Sequence, residues 1–87
     1  MLRVFRTCGI AEMVESDEKF AREIDVAIGK YWSNDWGDTC ESDKQLNRRA
    51  LRTGERIVAL YNTSKGRVFI ITEAGHVITT VLFGHEY

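Results

Sequence analysis

The last third of the chain narrows the fold more than any other stretch. "RIVALYN" (56–62), "RVFIITE" (67–73) and "HVITTVLF" (76–83) are rich in β-branched and aromatic residues, with only "TSKG" and "EAG" between them. Short polar links containing glycine join antiparallel neighbours, so the three runs are expected to form an antiparallel β-meander. The chain has no proline to interrupt it. Each run is apolar on both faces. Ile57, Ala59 and Tyr61 alternate with Val58 and Leu60, and Val68 and Ile70 alternate with Phe69 and Ile71. Val77, Val81 and Phe83 alternate with Ile78 and Leu82. A sheet with helices on one side only should alternate apolar with polar residues. The second face therefore calls for cover from sheet curvature, the N-terminal segment, a second copy of the chain or a foreign protein.

Upstream the period is helical. Phe20, Ile24, Ala27, Ile28 and Tyr31 recur at i, i+4, i+7, i+8 and i+11, one face of an α-helix spanning roughly 16–32. Ser16 is its expected N-cap, followed by Asp17 and Glu18 in the first turn. Tyr31 and Trp32 at its far end are expected in the core. A second helix is expected from about 40 to 53, started by one of two capping boxes, Asp38-x-x-Glu41 or Ser42-x-x-Gln45, and ended by Gly54. Its apolar stripe is thin: Leu46, Ala50 and Leu51. "LRVFR" (2–6) reads as a short first strand broken by Gly9, and "IAEMVE" as one or two helical turns. The expectation is one α+β domain over 1–87: a short N-terminal strand, two α-helices, then the three-stranded meander.

At 87 residues, 44% hydrophobic and 29% charged, the composition is that of an ordinary globular domain with one core. No run of 18 apolar residues exists to span a membrane. "MLRVFRTCGI" lacks the apolar stretch of a secretion signal, so a cytoplasmic location is expected, with Cys8 and Cys40 reduced. Two cysteines and two distant histidines fit no zinc spacing, and neither a metal nor a cofactor is expected. Net charge is −1, but residues 1–43 carry −5 and residues 44–87 carry +4. Such asymmetry points to two electrostatically different faces, or to halves that pair with each other.

The string from "DWGD" to the C-terminus resembles a family of small proteins carried on plasmids and integrative elements of Firmicutes. Shared features are DWGD (Asp35–Asp38), then D-x-x-L-N (Asp43, Leu46, Asn47), then G-x-R-I (Gly54, Arg56, Ile57). I-I-T-E (Ile70–Glu73), T-T-x-L-F (Thr79, Thr80, Leu82, Phe83) and a closing Glu86–Tyr87 complete them. The likeness covers most of the chain and is looser before residue 30. The family pattern has a second tryptophan in the third strand and a proline before the final acid–tyrosine pair. Here Phe69 and Gly84–His85 stand there instead. The mobile-element setting implies a role in defence, counter-defence or maintenance. Small counter-defence proteins, anti-CRISPR proteins among them, act by binding and blocking a host effector.

Three chemistries are open. In the first, the protein binds and inhibits a nucleic-acid-processing effector. Trp36, flanked by Asp35 and Asp38, would be an interface anchor with an acidic rim. The competing reading folds Trp36 back onto the first helix and uses Asp38 as a helix cap. A homodimer through the second sheet face belongs to the same class. In the second, the chain is a small ribonuclease resembling the interferase toxins and barnase-like nucleases. Its candidates are His76, Arg67, Thr80, His85 and Tyr87, near strand ends. In the third, the basic face of the second helix, Lys44, Arg48 and Arg52 with Arg49 beside them, holds nucleic acid. No glycine-rich phosphate loop and no Ser/His/Asp order is present, which argues against a metabolic enzyme.

Overall fold

The computed structural model describes residues 3–87; Leu2, expected in the first strand, lies outside them. The helical period becomes the helix Glu18–Trp32, and its N-cap is Asp17 rather than Ser16. The Asp17 carboxylate accepts the Phe20 amide at 2.9 Å, filling one of the orphan donors of the first turn. Ser16 instead ends a separate helix, Cys8–Ser16, which Thr7 caps by accepting the Ile10 amide. Three helices are therefore present where two were expected. "IAEMVE" is the body of the first, and Gly9 lies inside it rather than breaking the strand. We name them α1 (Cys8–Ser16), α2 (Glu18–Trp32) and α3 (Glu41–Thr53).

The strands are β1 (Arg3–Arg6), β2 (Ile57–Thr63), β3 (Gly66–Thr72) and β4 (Ile78–Phe83). β2, β3 and β4 form the antiparallel meander, and β1 pairs in parallel with β4, giving one four-stranded mixed sheet in the order β1-β4-β3-β2. A 3-10 turn, Gly84–Glu86, follows β4.

The register sorts the two faces. Ile57, Ala59, Tyr61, Val68, Ile70, Val81 and Phe83 share a buried cluster with Ile10 of α1 and Phe20, Ile24, Ala27 and Tyr31 of α2. Phe20 stacks on Phe83 with ring centroids 5.5 Å apart. Full burial of side chains such as Phe20 and Ile24 contributes about 1.5–3 kcal/mol each. The turn between β2 and β3 is tied to α2: Glu23 accepts from the Ser64 amide at 3.0 Å, and Lys65 pairs with Asp17 at 3.3 Å.

α3 lies along the outer edge of β2, and this position corrects the stripe read from its sequence. Asn47 and Ala50 are buried, whereas Leu46 and Leu51 are exposed. Neither capping box forms: Cys40 is the N-cap and makes no side-chain cap bond. Glu41 and Asp43 in the first turn still favour the helix electrostatically. Gly54, at φ 78°, ends α3 as expected.

Candidate functional site

In the loop "SNDWGD" (33–38) the acidic residues are consumed by the fold. Asp35 Oδ1 accepts the Gly37 amide at 3.0 Å, forming an Asx turn, and the Tyr61 hydroxyl donates to the Asp35 carbonyl at 2.8 Å. Trp36 is 3% exposed and meets the Tyr31 ring edge-on, centroids 5.6 Å apart. Its ring is part of the core, so the exposed interface anchor expected from its polar neighbours is not present. Trp32, expected in the core, is the half-exposed tryptophan. A hollow of about 130 Å³ between α2 and α3 is lined by Tyr31, Trp32, Trp36 and Leu51.

Asp38 does not cap α3. It belongs to a set of groups that saturate the outer edge of β2. The Asp38 amide donates to the Leu60 carbonyl at 2.9 Å, and its carboxylate accepts the Asn62 amide at 2.9 Å. Thr39 Oγ1 accepts the Leu60 amide at 2.8 Å. Asn47 Nδ2 donates to the Val58 carbonyl at 2.9 Å, and its Oδ1 accepts the Val58 amide at 3.2 Å. An edge strand exposes alternate N–H and C=O groups that invite foreign strands, and the side chains of Asp38, Thr39 and Asn47 together with the Asp38 amide occupy them.

The sheet face turned away from α1 and α2 has a different character. By register it carries Arg3 and Phe5 on β1; Ile78, Thr80 and Leu82 on β4; Arg67, Phe69 and Ile71 on β3; and Val58 and Leu60 on β2. Ile71 and Leu82 are buried among these neighbours, whereas Phe5 and Ile78 are 48% and 42% exposed. Tyr87 folds back onto this face, edge-on to Phe69 at 5.1 Å, with the Arg56 guanidinium 5.6 Å from its ring centre. Arg56 also pairs with Glu73 at 3.3 Å. A shallow hollow of about 330 Å³ beside Tyr87 is bounded by Arg56, Val58, Phe69 and, from α3, Leu46 and Asp43. The self-cover by long side chains is partial, leaving an aromatic and arginine-bearing surface.

This face brings together Arg67, Thr80 and Tyr87 from the ribonuclease candidates, but neither histidine. His76 sits in the β3–β4 turn at φ 55°, its Nε2 2.7 Å from the Glu55 carbonyl. His85 stacks on Phe83, a residue of the opposite face, at 5.2 Å. On α3, Arg48 pairs with Glu41 and Arg49 with Glu55, each at 3.5 Å. Arg52 is exposed and Lys44 half-buried. Two of the four cations of that helix face are thus already balanced by carboxylates. Among the described residues, no cluster of three or more His, Cys, Asp or Glu side chains is arranged to hold a metal ion.

The displaced titrations of Tyr31, Tyr61 and Glu86 report this architecture. Burial pushes the Tyr61 hydroxyl well above its ordinary value, helped by the Asp35 charge. Burial also raises Tyr31, whose hydroxyl lies 2.5 Å from Thr72 Oγ1. Glu86 is lowered, first by accepting the Phe83 amide at 2.8 Å and then by the Thr7 hydroxyl at 2.7 Å. The closing Glu86–Tyr87 pair thus does two jobs: Glu86 clasps the start of α1, and Tyr87 dresses the helix-free face.

What the sequence could have flagged, and did not, is Asn47. It stands three and four residues before Ala50 and Leu51, in line with apolar positions of the helix, and a polar residue so placed signals a specific hydrogen-bond duty. No helix among the described residues is long and apolar enough to cross a membrane. No protein-family model, curated protein or solved structure matches the chain.

Proposed function

We propose that this chain is a small interaction protein that binds and inhibits a nucleic-acid-processing effector through the helix-free face of its sheet. The observation that carries the reading is that Arg3, Phe5, Arg67, Phe69 and Tyr87 share the sheet face turned away from α1 and α2. Aromatic and arginine side chains dominate the energetics of protein interfaces, and an apolar floor of Ile71 and Leu82 beneath them suits a desolvated contact. The likeness to plasmid and integrative-element proteins supplies the setting: counter-defence in the cytoplasm, in the manner of anti-CRISPR proteins. The interface residues in this reading are those of the sheet face, not the buried Trp36.

A small ribonuclease is the second reading, favoured by Arg67, Thr80 and Tyr87 standing on the same face. It lacks a histidine there, and Arg67 and Tyr87 serve equally as contact residues. Expression in a host with an active nuclease defence separates the two. An inhibitor leaves growth undisturbed and restores plasmid or phage entry, and Arg67→Glu with Tyr87→Ala removes that protection while the chain stays folded. Growth arrest with RNA cleavage, abolished by Tyr87→Ala, would sink the inhibitor reading.

A further inference from the structure

The two ends of the sheet are treated differently. At the β2 end, the outward groups of Val58 and Leu60 and the Asn62 amide are bonded by Asp38, Thr39 and Asn47. At the β1 end, the Arg3 amide donates to the Val77 carbonyl at 2.8 Å and the Thr7 amide to the Val81 carbonyl at 3.1 Å. Backbone groups of a strand alternate in direction, so Val4 and Arg6 turn their N–H and C=O groups away from the sheet. Among the described residues no side chain or backbone group bonds them. All four residues of β1 are exposed, and Val4, Phe5, Val77 and Ile78 bring large apolar side chains to this end of the molecule.

We infer that the outer edge of β1 is a strand-acceptor site for an extended acidic segment of a protein partner, with the pattern acid–apolar–apolar–acid. The inference rests on the proposed function and names how the partner engages. β1 reads Arg-Val-Phe-Arg, and its charge pattern is the same from either end. An added strand, parallel or antiparallel, therefore sets an acid beside each of Arg3 and Arg6 and an apolar residue beside Val4 and Phe5. Neither arginine forms an ion pair among the described residues. Main-chain bonds from Val4 and Arg6 would supply affinity, and the flanking side chains would supply selectivity. A second copy paired in register is disfavoured, because it opposes arginine to arginine at both ends of the strand.

The test uses the full chain and a short fluorescein-labelled peptide with the core Glu-Val-Val-Glu. Anisotropy should show saturable binding, and the Val4 and Arg6 amides should gain protection from hydrogen exchange. Val4→Pro removes only an outward N–H, leaving the bonds to β4 in place, and should abolish binding with an unchanged circular dichroism spectrum. Arg3→Glu with Arg6→Glu should weaken binding about tenfold or more and transfer it to a Lys-Val-Val-Lys peptide. Equal binding of both peptides by the parent chain, or full binding by Val4→Pro, overturns the inference. So does self-association through β1 in sedimentation. Loss of effector inhibition by Arg67→Glu but not by Val4→Pro removes the edge and leaves the proposed function standing. Loss by neither, with peptide binding intact, removes the proposed function alone.

Discussion

Asn47 holds Val58 at both ends of its peptide edge, accepting its N–H at 3.2 Å and donating to its carbonyl at 2.9 Å. One side chain from a helix thus stands where a neighbouring strand would. Asn47→Leu keeps the branched shape but strands two partly buried backbone groups, so it should cost about 2–3 kcal/mol in urea denaturation. It also reopens an edge, and light scattering should rise with concentration in the variant and not in the parent. An unchanged urea midpoint would mean that water satisfies Val58 equally well.

Gly37 has φ 62°, and a Cβ there would run into the Tyr61 ring and stand 2.9 Å from the Leu60 carbonyl. Gly37→Ala should therefore lose about 2 kcal/mol or more, since both strain and overlap oppose it. A thermal melt matching the parent would show that the loop can retreat from β2.

Trp36 Nε1 is buried and has no hydrogen-bond partner. Trp36→Phe gives up no bond and should cost only about 1 kcal/mol, whereas Trp36→Ala empties the space beside Tyr31 and should cost about 3–5 kcal/mol. Effector binding by Trp36→Phe should equal that of the parent. A selective loss of binding in a well-folded Trp36→Phe would return the ring to the interface.

Stability should fall at both pH extremes. Asp17, lowered chiefly by the Phe20 amide, and Glu86, lowered chiefly by the Phe83 amide, have folded values below their unfolded ones. Their contributions are present above the ordinary values of 3.8 and 4.5 and disappear as pH falls through the depressed folded values. Urea midpoints should drop in that acid window, less steeply in Asp17→Asn and Glu86→Gln. Tyr31 and Tyr61 are raised above the ordinary 10.0, so their contribution persists below that pH and is lost as pH climbs toward their folded values. Tyrosinate absorbance from these two should emerge together with unfolding.

Elements whose signal is local were readable in the residues. The 20–31 period, the three β-rich runs and the Gly54 stop each required only neighbours in sequence. The errors arose where several residues offered the same local chemistry. Ser16 and Asp17 are both good caps, and the side chain that reaches the Phe20 amide is decided by how α1 ends. Asp38 also looked like a cap, but β2 competes for it and wins. β1 pairs in parallel with β4, more than seventy residues away, and no periodicity in "RVFR" encodes a partner at that distance. Of the two readings open for the loop tryptophan, the fold-back onto the long helix is the one found, and local chemistry alone could not choose it. Its polar neighbours are turn-formers whose bonds face the backbone, which leaves the ring free to turn inward onto Tyr31.

The unequal ends of the sheet also limit what the protein can assemble into. Polymerisation by strand exchange requires every subunit to offer a donor edge and an acceptor edge. Here Asn47, Thr39 and Asp38 close off one of them, so a subunit that has taken up a strand on β1 presents no second edge for growth. Any complex built this way terminates at one partner per chain, and raising the concentration fills sites without lengthening a fibre.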